Sequence, residues 1–328
     1  YEGGAMAFSA AATVSLEPGE TRTLQLTAES VYSDYLELIG RVGSFGARDH
    51  QLDSPTDLVA DGERLYAVDS IARRLKAYDL GDLEAPPVWV GDLSFLDDRT
   101  DTPYFPVTTA LFPEVGLLVA DPSNGRLDAF DPGDGAHRGR FAVPAGLATP
   151  GDMLYWPAAG CLFVMDTDDS ELYLLDADGA ARPGSRLLKD EEGRAVQNAV
   201  GLALVSSTGE EARLAVTSAP EGKPGRLYFY TYRLGSGPDC TGSGGAGHLE
   251  RPAGIACIGE LLVVADATQH ALKLFDANGG FVDSFGYFGD RLGTFTNPLG
   301  AAADPAGRRL YIADRGNHRL VNFDVKAE

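Results

Sequence analysis

The side chains best suited to chemistry in this chain are carboxylates and imidazoles at recurring positions. His270 stands four residues after Asp266, and His318 four residues after Asp314, in two similar stretches. Zinc is usually held by four ligands, yet the matching positions elsewhere carry Arg73, Gly125 and Ser170, so a zinc site is not expected there. Oxygen donors are more abundant. Asp166-Thr167-Asp168-Asp169 and Asp176-Ala177-Asp178-Gly179 are acidic turns, though neither matches an EF-hand loop. Calcium is the one cofactor these oxygens leave open, with solvated turn carboxylates as the blander account. Nucleophilic catalysis has no support. Gly235-Ser236-Gly237 is a broken fragment of a nucleophile motif, and the three cysteines have no neighbouring histidine in sequence. No glycine-rich phosphate loop links a strand to a helix.

The elements that would position these residues are β-strands. The 40 glycines and 19 prolines, without a Gly-X-Y period, mark many turns. An Asp closes one short apolar segment, and ten positions later another Asp closes the next. The pairs are Asp69 and Asp79, Asp121 and Asp131, Asp166 and Asp176, Asp266 and Asp276, and Asp314 and Asp324. A further unit carries Ser218 and Thr231 instead. Six units result, with first markers 52, 45, 52, 48 and 48 residues apart. Most units begin after a proline (Pro55, Pro106, Pro150, Pro252, Pro298), and several end in a later segment such as 281–286. Four short strands per unit is the pattern of a propeller blade.

The ends of the chain indicate how the ring closes. Residues 36–46 read as an outer strand placed before any inner one, with Ser44-Phe45-Gly46 similar to Ser284-Phe285-Gly286. The last unit stops soon after Asp324 and lacks its outer strand. Pairing the two uses both spare edges. The expected fold is therefore all-β, a six-bladed β-propeller closed by an N-terminal strand. Residues 1–34 are expected to form an extension with a β-hairpin around Pro18-Gly19, and residues 35–328 the propeller. The fourth unit departs most from the rest, and its Gly/Ser-rich run 234–247, where an outer strand belongs, stands out as a candidate binding loop.

Charge narrows the partners. The net charge of −21 repels polyanions, so no nucleic acid is expected. No apolar run has the length of a membrane span. Cys240 and Cys257 either pair, leaving Cys161 free, or all three remain thiols. Because the sequence begins at Tyr1, a processed product in the periplasm or outside the cell is expected, as a monomer.

Asn297-Pro298-Leu299-Gly300, Leu310-Tyr311-Ile312-Ala313-Asp314 and Asn317-His318-Arg319-Leu320 resemble an NHL repeat, as does 252–276. The resemblance extends over about residues 36 to 324 and implies a six-bladed propeller. It includes binding scaffolds, RNA binders and a few enzymes, so it does not fix an activity. The zinc lyases with NHL-like propellers place histidines on inner strands, and no inner segment here supplies one. Asp57 and Asp152 are expected to face the central channel, with Thr108 and Thr109 as neutral neighbours. The expectation is a non-enzymatic scaffold that holds a protein, peptide or glycan on one loop face. Asp57, Asp152, Arg73, His270, Arg315 and His318 are the candidate binding residues. The alternative is a metal-dependent hydrolase or lyase with its site in the channel.

Overall fold

The computed structural model describes residues 33–46, 48–96, 103–184 and 186–326. The hairpin expected around Pro18-Gly19 lies outside them. A single strand, β1 (Leu36–Val42), precedes the blades. Blade 1 comprises β2 (Pro55–Ala60), β3 (Arg64–Asp69), β4 (Arg74–Asp79) and β5 (Trp89–Asp92). Blade 2 comprises β6 (Thr108–Phe112), β7 (Gly116–Asp121), β8 (Arg126–Phe130) and β9 (His137–Phe141). Blade 3 has β10 (Pro150–Trp156), β11 (Cys161–Asp166) and β12 (Glu171–Leu175). Blade 4 follows with β13 (Ala199–Ser207), β14 (Glu211–Ser218), β15 (Arg226–Arg233) and β16 (Gly237–Gly244). Blade 5 is β17 (Pro252–Ile258), β18 (Leu261–Asp266), β19 (Ala271–Asp276) and β20 (Phe281–Phe285), and blade 6 is β21 (Pro298–Ala303), β22 (Arg309–Asp314) and β23 (Arg319–Val325).

Each blade is an antiparallel meander, and β1 completes the last one in the order β1-β23-β22-β21. Leu36 pairs with Val325 and Val42 with Leu320, so the ring closes with the first strand as expected. The second strand of a blade has neighbouring blades on both sides. That is why β7 and β11 are buried along their whole length and need no alternation of apolar and polar residues. The core divides accordingly into six clusters, one at each blade-to-blade contact.

Three expectations are corrected. The run 234–247 is not a loop in place of an outer strand: its centre is β16, paired with β15 along its length. Glycine and serine suffice there because only one face of an outer strand packs against the core. Blade 3 has three regular strands rather than four, and isolated bridges of Leu187 to Glu171 and Ala181 to Leu175 take the fourth place. Phe45 corresponds to Phe288 rather than to Phe285. Both make a parallel bridge seven residues downstream, Phe45 with Leu52 and Phe288 with Phe295.

The marker residues that close the second strands also fix the start of the first. Asp69 accepts the backbone N–H groups of Asp53 and Ser54, Asp166 those of Ala148 and Thr149, and Asp266 those of Glu250 and Arg251. Asp314 accepts from Thr296 N and from the side chains of Asn317 and Arg319. All of these carboxylates are buried, so these bonds replace the water they have lost. In blade 4 the hydroxyl of Ser218 takes the place and donates to Gln197 O at 2.7 Å.

Pairing with β23 buries Leu36 against blades 5 and 6 and covers the β23 edge. Deleting residues 1–46 should lower Tm by at least about 5 °C, read by differential scanning calorimetry. An unchanged Tm would show that the clasp does not hold the ring.

Candidate functional site

Four blades pair their starting proline directly with the marker Asp: Pro55 with Asp69, Pro150 with Asp166, Pro252 with Asp266 and Pro298 with Asp314. A shift in register follows at once in each. The residue two places after the proline is thereby set at the channel wall. Around the ring these residues are Asp57, Thr108, Asp152, Gly201, Gly254 and Gly300, taking Ala199 as the proline's counterpart in blade 4. One half of the ring is therefore acidic or hydroxylic, and the other has no side chains.

The bare half is a consequence of close packing. A Cβ on Gly254 would meet Leu299 O at 2.4 Å, and one on Gly300 would meet Asp57 Cα at 2.7 Å. The inner strands of blades 4 to 6 touch there, leaving no room for a side chain on that side of the channel floor. From this floor a cavity of about 800 Å³ extends along the inner strands. Its lining reaches the turns after them, at Asp61, Pro113, Pro157 and Pro305. The walls between are mostly aliphatic.

Asp57 and Asp152 stand at the floor, half-buried, and backbone N–H groups fix both. Thr109 N donates to Asp57 Oδ2 at 2.8 Å, and Leu202 N donates to Asp152 Oδ2 at 2.7 Å. Met153 N donates to Asp152 Oδ1 at 2.8 Å. Each carboxylate thus reaches to the next blade of the ring. Between them Thr108 donates its hydroxyl to Gly151 O at 2.6 Å, so it is committed to holding blades 2 and 3 together.

These hydrogen bonds favour ionisation, but burial opposes it more strongly. Burial, with the Asp152 charge added to it, holds Asp57 well above the ordinary carboxylate range. Burial raises Asp152 from 3.8 to about 6. Two carboxyls that repel each other lose their second proton at higher pH than isolated ones would. One protonated and one ionised carboxyl at the end of an apolar cavity can give and take a proton in the same event. Among the described residues no three His, Cys, Asp or Glu side chains come together as a metal site would need.

The other candidates lie elsewhere. His270 and His318 occupy the left-handed position of the turn between second and third strands, at φ 55° in both. Asn297 N donates to His270 Nδ1 at 2.9 Å, and His318 Nδ1 is bonded to Asp53 O, so each ring ties its turn to the next blade. Ser170 does the same in blade 3, accepting from Ala199 N at 3.1 Å. Arg73 takes this turn position in blade 1, at φ 51°. Arg315 Nε donates to Ser54 Oγ at 2.9 Å, another contact between blades 6 and 1. Of the six predicted residues, the structure brings Asp57 and Asp152 to the channel and leaves the other four on the rim. Cys257, which sequence did not single out, lines the cavity. It is a free thiol, as are Cys161 and Cys240.

The NHL repeat family matches residues 295–323, the sixth blade. No curated protein matches the chain in sequence. Among solved structures, a gluconolactonase from Xanthomonas campestris superposes with a TM-score of 0.60 at 16% identity, over 90% of this chain and 96% of that one. A virginiamycin B lyase from Staphylococcus aureus gives 0.56 at 11%, over 89% and 100%. A PQQ-bound aldose sugar dehydrogenase from Streptomyces coelicolor gives 0.56 at 15%, over 89% and 98%. At such identities these likenesses show the propeller fold. Against the expectation of a non-enzymatic scaffold, these similar propellers are enzymes. No helix among the described residues is long and apolar enough to cross a membrane.

The raised carboxyls link stability to pH with a definite sign. The folded chain binds protons here more tightly than the unfolded chain does. The stability that Asp152 contributes is complete below the unfolded value near 3.8 and is lost as pH rises through about 6. The Tm advantage of wild type over Asp152→Asn should therefore shrink from about pH 4.5 to about pH 7.5, followed by thermal melts in matched buffers. A constant difference would contradict the shift.

Proposed function

We propose that the chain is an enzyme, a hydrolase or lyase, with Asp57 and Asp152 as its acid–base pair in the central channel. The observation that carries this reading is the placement of two mutually repelling carboxyls, held by backbone N–H groups, at the floor of an apolar cavity. The other blades are read as degenerate copies of the NHL repeat matched in the sixth, so that the channel is an inherited cleft and the acids are this chain's own equipment. The lactonase and lyase with similar propellers support the reading as analogy only.

The chemistry follows from the proton count. In hydrolysis the ionised carboxylate takes a proton from water as the water oxygen bonds to the electrophilic carbon. The protonated partner gives its proton to the departing oxygen as the carbon–oxygen bond breaks. The pair ends with one proton, as it began, and the acid and base have exchanged places. Elimination uses the same two transfers, with the base removing a proton from carbon instead of from water. Such general acid–base assistance is worth roughly 10²–10⁴ in rate. The apolar wall strengthens both carboxyls' interactions with the reacting atoms by excluding water.

The test is turnover of a panel of lactones, aryl esters and β-substituted substrates by wild type, Asp57→Asn and Asp152→Asn. Each single substitution should reduce kcat/KM at least about 100-fold for the active substrate. The wild-type pH profile should be bell-shaped, with its acidic limb near the Asp152 value of about 6 and its optimum above that, where the pair holds one proton. Turnover should persist in EDTA. Full activity in both variants, or activity lost in EDTA and restored by calcium, would overturn the acid–base assignment.

A further inference from the structure

The charged residues along the cavity have one sign. Asp57 and Asp152 are at the floor, Asp61 and Asp304 are at the mouth, and among the described residues the lining contains no Lys, Arg or His. Nearby basic side chains are turned outward. Arg64, Arg308 and Arg309 line a neighbouring groove between blades 6 and 1, of which Asp304 is the shared edge. Arg64 donates to Pro132 O of blade 2, and Arg309 donates to Leu80 O and pairs with Asp324.

The two mouth carboxylates occupy equivalent positions. Asp61 and Asp304 each follow an inner strand, and the blades that carry them, 1 and 6, are neighbours. Both are oriented by their own turns. Glu63 N and Arg64 N donate to Asp61 Oδ1, and Arg308 N and Arg309 N donate to Asp304 Oδ1. Tyr66 OH donates to Asp61 Oδ2. The equivalent turns of blades 2 and 3 begin with Pro113 and Pro157, so the lip is acidic on one side and apolar on the other. Four residues of extended strand separate Asp57 from Asp61, which is about 13 Å.

We propose that the substrate of this site is an organic cation: an amine whose ammonium rests at the Asp61–Asp304 lip while its apolar body runs along the wall to the floor. This rests on the reading of the channel as the active site, and it adds the substrate's class and orientation. Aliphatic walls such as Val59, Leu111, Leu154 and Val205 suit a hydrocarbon or aromatic body. The scissile bond then lies at Asp57 and Asp152, roughly 10 Å or more from the charge. An anion of the same size meets like charge along the whole path, and the net charge of −21 extends that selection beyond the mouth.

The experiment compares three probes of one length, 4-phenylbutylammonium, 4-phenylbutanol and 4-phenylbutyrate, by isothermal titration calorimetry on wild type, Asp304→Asn and Asp57→Asn. The ammonium should bind at least 10-fold tighter than the alcohol, and the carboxylate should not bind. Asp304→Asn should reduce the ammonium preference about fivefold and leave the alcohol unchanged, while Asp57→Asn should retain the preference. Equal binding of ammonium and alcohol, or tighter binding of the carboxylate, would overturn the assignment. The two readings fail separately. Ammonium selectivity without turnover removes only the catalytic one, and turnover of neutral substrates without ammonium preference removes only this one.

Discussion

A buried carboxylate that must find hydrogen-bond donors is the constraint on which this ring depends. Asp69, Asp166, Asp266 and Asp314 each close a second strand in a place water does not reach. A carboxylate there is tolerable only if the chain brings N–H groups to it. The donors come from the residues that lead into the same blade's first strand, so the acid fixes where that strand begins. The start of the strand fixes its register, and the register decides which residue stands at the channel wall. Asp57 and Asp152 are where they are because Asp69 and Asp166 hold the prolines before them. Arg319 adds a second layer in blade 6, bonding Asp314 and the carbonyls of Asp290, Arg291 and Thr294.

Much of this is written in the sequence at a level that needs no comparison with other proteins. The Asp markers recur at nearly constant spacing, and an orphan strand at the front matches a missing one at the back. Blade 4 was harder to read because polarity there is reversed: Ser218 donates to a carbonyl where its siblings accept N–H bonds. The run 234–247 looked like a loop because strand propensity is judged by β-branched and aromatic content. A one-sided outer strand hydrogen-bonded to Tyr-rich β15 does not require that content. Phe45 was set against the wrong partner because Ser-Phe-Gly is too short to fix a register, and only the bridge to Leu52 does so.

The site was legible in part, for a physical reason. Counting two places from each proline finds Asp57 and Asp152, because strand geometry is local. Their influence on each other is not local, since it depends on how far apart blades 1 and 3 lie across a channel whose width the whole ring sets. The same limit explains the histidines. His270 and His318 look reactive in a one-dimensional pattern, but the turn places each ring against the backbone of the next blade. Nothing in the pattern distinguishes an imidazole that spans two blades from one that faces a ligand.

The clasp has a consequence for how the molecule is made. Pairing of β1 with β23 joins residues separated by almost the full described chain, so it is among the last contacts to form as the ring assembles. Until then β23 presents an unpaired edge, and the strand that fits it is tethered at the far end of the same chain. Any other chain in the same state carries an identical strand. Assembly is thus a contest between closure within one molecule and exchange between two, and dilution favours the former.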